Sequence, residues 1–252
     1  MSDGAAPGAW RFHKLGLLVT GDGEAEFLPA LFRSLMEAGT CSFAVIRKIG
    51  QRSPISSPRR GLKMLGSGKV MPDRDEEEIG LPARRYLRAG GDHAFVLLVD
   101  DLEHARRGVA LQVFQRYRDA LDRLLLADRH RASVQFLVNM IEAYYFADAA
   151  TVNAVLGTSL DDHAGDVEEI VHPKGDLKAL VPGFDEKRHG ARVVARLDVR
   201  HVLANPETCA SLRTLFAWCA KAIGASLGDE YRLETGGYST ITGAQIGDLA
   251  SP

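Results

Sequence analysis

Cysteine is scarce in this sequence. Three residues in 252, Cys41, Cys209 and Cys219, with no Cys-x-x-Cys pair, leave no disulfide framework and no cysteine-rich zinc site, and a reducing cytoplasmic setting is the expectation. Long apolar runs are missing as well. The longest falls far short of the roughly 18 residues that a membrane-crossing helix needs, and the first stretch of chain lacks the apolar core of an export signal, so no membrane partner is expected. Neither sign of charge dominates: 31 basic residues stand against 33 acidic ones, a formal net charge of −2. That balance excludes a uniformly basic nucleic-acid coat and leaves room for local patches. The eight histidines form neither His-Glu-x-x-His nor His-x-His, which removes the usual zinc-protease reading.

What is present is a globular composition, 46% hydrophobic and 25% charged, in a length that suits one large α/β domain with a modest appendage. Leu15-Gly16-Leu17-Leu18-Val19-Thr20 is a short apolar run halted at Gly21-Asp22-Gly23, the pattern of a buried parallel strand. Ala25, Phe27, Leu28, Leu31, Phe32, Leu35 and Met36 then recur with helical spacing up to Gly39, a natural stop. A second strand is expected over residues 42–49. The acidic run Asp73-Arg74-Asp75-Glu76-Glu77-Glu78 opens a helix reaching about Arg88, and His93-Ala94-Phe95-Val96-Leu97-Leu98-Val99 reads as a third strand. Helical periodicity over 109–126, a fourth strand over 133–140 and a helix over 141–156 complete a βαβαβαβα order. Such alternation predicts a mostly parallel sheet with helices on both faces. Past Gly157 the texture changes, with Pro173, Pro182 and two further helical stretches near 190–204 and 206–227. The expectation is an α/β core over 1–157 and a helical appendage over 158–252, its tail from Glu234 loosely held.

Two glycine-rich stretches fail as phosphate loops. Glu26 takes the third glycine position of a dinucleotide turn begun at Gly21 and Gly23, and Gly66-Ser67-Gly68-Lys69 is followed by Val70 where a magnesium-binding Ser or Thr belongs. A set of carboxylates is more informative. Glu24 lies just past the first strand, and Asp100, Asp101 and Glu103 end the third, where open α/β sheets bind ligands. If those strands are neighbours the acids converge, and clustered carboxylates repel unless a hard divalent cation, Mg²⁺ or Mn²⁺, neutralises them. The i, i+2 spacing of Asp101 and Glu103 puts both on one side of an extended chain; spacing alone favours a helix cap and turn for Asp100 and Asp101. Glu142, at a helix start beyond the fourth strand, is either a further site acid or a complement to that helix's N-terminus. Arg47, Lys48, Arg52, Arg59, Arg60, Lys63 and Lys69 stand in one stretch without an acid. They form either a basic loop that concentrates a polyanion such as DNA or RNA or a merely solvated one.

The order of these motifs resembles a known family. Leu18-Val19-Thr20-Gly21-Asp22-Gly23-Glu24-Ala25-Glu26-Phe27-Leu28 is similar to the first motif of Toprim-like proteins, Val-Glu-Gly-x-Thr-Glu before an apolar helix, and the strand ending Asp100-Asp101-Leu102-Glu103 resembles their acidic second motif, Asp-x-Asp. Met140-Ile141-Glu142-Ala143-Tyr144-Tyr145-Phe146-Ala147-Asp148 resembles the Ile-Glu-Ala-Trp-Leu-Leu-Ala-Asp segment of DUF4276, a Toprim-like family of bacterial proteins. Pro173-Lys174-Gly175-Asp176-Leu177-Lys178 and Phe184-Asp185-Glu186-Lys187 resemble that family's later motifs, so the likeness spans about residues 15–222.

The resemblance implies a Toprim-like (Rossmann-like) sheet whose acids hold Mg²⁺ or Mn²⁺ for phosphodiester chemistry on nucleic acid. It also implies a link to mobile-element or phage-defence loci, in some cases with a partner ATPase. On that reading Glu24, Asp101 and Glu103 are catalytic, and Glu24, Asp100, Asp101, Glu103 and Glu142 are the metal ligands, while the seven basic residues hold the substrate backbone. The sequence departs from the family pattern twice. Thr20 stands where the family has its glutamate, leaving Glu24 as the first motif's acid, and Asp-x-Asp becomes Asp101-x-Glu103 or shifts to Asp100. The implied function is a metal-dependent nuclease; the alternative is a catalytically silent Toprim-like subunit that binds nucleic acid or a partner ATPase.

Overall fold

A computed structural model describes residues 11–54, 72–226 and 228–249. Strands β1 (His13–Val19), β2 (Cys41–Lys48), β3 (Ala94–Leu102) and β4 (Ala132–Val138) form an all-parallel sheet in the order β2-β1-β3-β4. Helices α1 (Asp22–Leu31), α2 (Arg33–Met36), α3 (Leu81–Gly90), α4 (Ala110–Leu125) and α5 (Ala149–Leu156) alternate with the strands. After them come α6 (Pro173–Leu180), α7 (Ala191–Val194), α8 (Val199–Val202) and α9 (Ala210–Ala222). The chain thus adopts the expected α/β class, a parallel sheet with flanking helices.

Consecutive rather than alternate apolar residues build β1 and β3 because both of their faces are covered. Leu15, Leu17, Val19, Leu97 and Val99 pack with Phe27, Leu28, Phe32, Leu212, Phe216 and Trp218 of α1, α9 and the residue joining α1 to α2. Leu18, Val96 and Leu98 point the other way, into Ala83, Leu87, Val113, Tyr117 and Leu121 of α3 and α4. Each such side chain contributes about 1.5–3 kcal/mol by leaving water. Gly16 lies on the second face beneath the Tyr86 ring, where a Cβ would come within 2.8 Å of Cδ1, so the absence of a side chain lets α3 seat on the sheet.

The residues set apart beyond 158 share this core. Helix α9 is buried on nearly every side, lies across β4 and supplies one cover of the sheet, and an all-round apolar helix of this kind belongs inside a fold. The stretch expected to be a loose tail is also fixed. The Gln245 amide accepts from the Val134 N–H (2.9 Å) and donates to the Val134 carbonyl (2.8 Å), pairing the outer edge of β4 that would otherwise be open. Arg213, wholly buried, donates to the carbonyls of Leu203, Asn205, Thr208, Tyr231 and Arg232.

Two expected helices are interrupted for local reasons. Asn139 and Met140 take positive φ (55° and 71°), a 3₁₀ segment runs over Ile141–Ala147, and α5 starts afresh at Asp148. The Asp148 carboxylate caps it by accepting from Thr151 N–H (3.0 Å) and also takes the Asp198 N–H (2.9 Å). Asp198 in turn caps α8 through the amides of Arg200 and His201, which splits the helix expected over 190–204. Among the described residues, no helix is long and apolar enough to cross a membrane.

Candidate metal centre

Because β1 and β3 are neighbours, with Val19 paired to Val99, the chain leaving each meets the other at the carboxyl edge of the sheet. Side chains alternate along a strand, so Asp100 and Asp101 leave β3 on opposite faces. Their environments differ accordingly.

Asp100 is fully buried on the α4 face. Its carboxylate accepts from Thr20 Oγ1 (2.9 Å), Tyr117 Oη (2.9 Å) and both terminal nitrogens of Arg106 (3.1 and 2.7 Å). Burial, then the Asp100 charge, pushes the Tyr117 hydroxyl up, so it stays a donor at neutral pH. A carboxylate with a fixed guanidinium and two further donors is already neutralised and satisfied. Asp100, expected among the metal ligands, is therefore reassigned to a closed internal ion pair.

Asp101 faces α1. The Glu24 carboxylate lies in hydrogen-bonding reach of it, and Glu24 Oε2 and Asp101 Oδ1 are both buried without a hydrogen-bond partner. Gly21, which caps α1, makes room: a Cβ there would overlap Glu24 Oε2. Burial first, and then Glu24, Glu142 and Asp100, holds the Asp101 carboxyl well above the usual carboxylate range. Glu142, on the 3₁₀ segment after β4, is also buried. Burial raises it most, the charges of Glu186 and Glu24 add to this, and its own backbone amide and Lys174 oppose it. The structure thus gathers Glu24 and Asp101 as a pair with Glu142 beside them. Glu103 is exposed beyond the end of β3 and caps a 3₁₀ turn.

Three neighbours carried no role in the sequence reading. Lys174, at the start of α6, is half-buried; burial opposes its charge, but Glu186, Glu142 and Asp101 together raise it, and it pairs with Glu186. Burial, followed by Glu142, Asp101 and Glu24, pushes the Tyr145 hydroxyl well up. Glu186 bridges Lys174 and Lys178. Pro173-Lys174 and Glu186 belong to motifs that carried the family resemblance, but only the tertiary fold brings them to the acids.

The basic set divides. Arg47 and Lys48 close β2 and are exposed, Lys48 pairing with Asp22. Arg52 is not an exposed cation: it is 6% exposed and bound between Asp75 (2.8 Å) and Glu78, its charge used inside the fold. Arg59, Arg60, Lys63 and Lys69 lie outside the described residues. The segment preceding them is anchored beside the acids, where Gln51 Nε2 donates to the Asp101 carbonyl (3.1 Å), Arg106 to the Arg52 carbonyl (2.9 Å) and Arg116 to the Ser53 carbonyl (2.7 Å).

Among the described residues, no group of three or more His, Cys, Asp or Glu side chains is drawn together closely enough to hold a metal by itself. The Glu24–Asp101 pair still fits Mg²⁺, which keeps several waters and is commonly bound by one or two carboxylates plus substrate phosphate oxygens. Its two partnerless oxygens are acceptors without donors, the arrangement a cation or a shared proton would complete. No family model, curated protein or solved structure matches the chain.

Proposed function

We propose that the chain is a Toprim-like, Mg²⁺- or Mn²⁺-dependent nuclease, with Glu24 and Asp101 holding the metal and Glu142 beside them. The observation that carries this reading is the buried, partnerless pair of carboxylate oxygens at the carboxyl edge of a parallel sheet. That edge is where such sheets bind ligands. When bound, the cation supplies charge stabilisation to the attacking and leaving oxygens of a phosphodiester. Glu142, its carboxyl raised by burial, holds a proton or exchanges one with a water at its edge of the site. Lys174 keeps its ammonium charged among three acids, and on this reading it donates to a phosphoryl oxygen. The cytoplasmic setting, the mobile-element or phage-defence context and a partner ATPase belong to the same reading.

One observation favours a second reading, a silent subunit that binds nucleic acid or an ATPase. At the position of the family's glutamate, Thr20 spends its hydroxyl on Asp100, and Arg106 neutralises that aspartate. Purified protein assayed with single- and double-stranded DNA and RNA in Mg²⁺ or Mn²⁺ separates the two. The enzyme reading expects cleavage that EDTA stops and that Asp101→Asn and Glu24→Gln abolish while the fold is kept. Binding of nucleic acid or of the ATPase without cleavage of any substrate replaces it with the silent subunit.

A further inference from the structure

A second run of cations begins at the rim of the carboxylate site. From Lys187 to Leu197 the chain reads Lys-Arg-His-Gly-Ala-Arg-Val-Val-Ala-Arg-Leu, with no acid. A helical turn over Glu186–Gly190 leads into α7. Gly190, Val193, Val194 and Leu197 face inward, while Lys187, Arg188, Arg192 and Arg196 are exposed. The four-residue spacing of the arginines sets them along one side of the segment, about 6 Å apart where it is helical.

The segment runs alongside α1. At one end Lys187 lies within electrostatic reach of Asp22, two residues before Glu24. At the other, Arg33 at the start of α2 donates to the Ala195 carbonyl. The row of cations therefore starts beside the Glu24–Asp101 pair and leads away along the flank of α1. The acids nearest in sequence are engaged elsewhere: Asp185 accepts from the Arg188 amide, Glu186 bridges Lys174 and Lys178, and Asp198 caps α8. Among the described residues, no ion pair engages Lys187, Arg188, Arg192 or Arg196.

We infer that Lys187, Arg188, Arg192 and Arg196 form a track for the phosphodiester backbone of nucleic acid, delivering it to the Glu24–Asp101 pair. This rests on the function proposed above and adds to it a surface the 47–69 stretch does not supply. A regular row of unpaired guanidinium groups suits a linear polyanion, because each contact displaces condensed counterions from the strand. An acidic protein surface could also meet four cations. Its charges would not continue into a site built for a phosphodiester, and continuity with that site decides for nucleic acid.

The test is fluorescence anisotropy with a labelled 20-nucleotide single strand and the matching duplex, in EDTA so that no cleavage occurs. Wild-type protein should bind with a steep salt dependence. The triple variant Arg188→Ala, Arg192→Ala, Arg196→Ala should bind at least about tenfold more weakly, its salt slope shallower by about 2–3 on duplex. The triple replacement by Lys, which keeps the charges, should bind nearly as wild type does. If the Ala variant does not fold, Arg192→Glu alone gives the comparison. Unchanged affinity and slope in the Ala or Glu variant, or no nucleic-acid binding by wild type, overturns the track. So does tighter binding of poly-glutamate than of either oligonucleotide with the same loss in the variant, which would assign the surface to an acidic protein. Cleavage is scored separately. Binding lost in the variant where wild type never cleaves keeps the track and removes the nuclease, whereas cleavage by wild type with unchanged variant binding does the reverse.

Discussion

Replacing either of two adjacent aspartates by asparagine should move stability in opposite directions. Asp100→Asn leaves the half-buried Arg106 beside a neutral amide, after a bidentate ion pair reinforced by Tyr117 and Thr20. Breaking such a buried pair from one side costs about 3–5 kcal/mol. At about 2–4 °C per kcal/mol for a chain of this size, the melting temperature should fall by roughly 6–20 °C. Asp101 has no cationic partner of that kind and faces Glu24. Two ionised carboxylates about 4 Å apart repel by ~4 kcal/mol at an effective dielectric of 20, and the folded protein avoids this by keeping a proton. The folded-state pKa of Asp101 therefore lies above its unfolded value, so the native state binds more protons, and stability falls as pH rises from the unfolded value through the folded one. Asparagine carries no such dependence. Asp101→Asn should match wild type near pH 4 and, without divalent metal, exceed it by about 1–3 kcal/mol at pH 8. Scanning calorimetry of both variants from pH 4 to 8.5 in EDTA reads this directly. Mn²⁺ at a hundredfold excess over its Kd should then add about 2.7 kcal/mol to wild type and nothing to Asp101→Asn. An Asp101→Asn protein that melts below wild type at pH 8, as the Asp100 variant should, would refute the assignment of the two side chains.

Gly21→Ala pushes a Cβ into Glu24 Oε2 and should abolish the Mn²⁺-dependent rise in melting temperature, with little stability change in EDTA because the far end of a flexible side chain can move; isothermal titration with Mn²⁺ checks it. Glu168 is raised by burial from its ordinary value of 4.5 to about 7, so the native state gains a proton and wild type should lose stability as pH rises from 4.5 to 7. Glu168→Gln should flatten this by about 3 kcal/mol, read as the difference between denaturation curves at pH 4.5 and 7.5. Arg213→Met leaves five carbonyls without their shared donor and should cost at least about 3 kcal/mol; proteolysis within residues 228–249 should rise in step, and an unchanged cleavage rate would refute the clamp.

The fold class was legible because it rests on local pattern. Continuous apolar runs at β1 and β3 mark strands covered on both faces, and alternation with amphipathic helices leaves few topologies open. The role of residues beyond 158 was less legible. Helix α9 is apolar around most of its circumference, so its period does not announce which surface it will cover, and its packing across β4 is set by contacts between distant segments. The hold on the C-terminal stretch rests on Gln245 meeting the Val134 backbone and Arg213 meeting scattered carbonyls. Backbone acceptors have no sequence signature, so a polar, glycine-rich stretch reads as loose even where single side chains fix it.

Part of the site was legible in the same way. Neighbouring strand ends bring Glu24 and Asp101 together, and residue parity sorts the acids further. In β1 and β3 the odd-numbered residues face α1 and the even-numbered ones face α4, so Asp101 shares a face with the helix that carries Glu24, and Asp100 shares one with Thr20. One alternation thus separates a carboxylate that needs a counter-charge from one that already has it. No parity rule could supply Arg106, which reaches Asp100 from the turn after β3, or Lys174, which reaches the acids from α6. The difference between the two aspartates therefore comes from where the cations lie: a fixed guanidinium makes Asp100 part of the scaffold. Asp101 and Glu24 have no such guanidinium, and their buried oxygens need either the retained proton or a cation between them, which is the physical basis for proposing a divalent cation there.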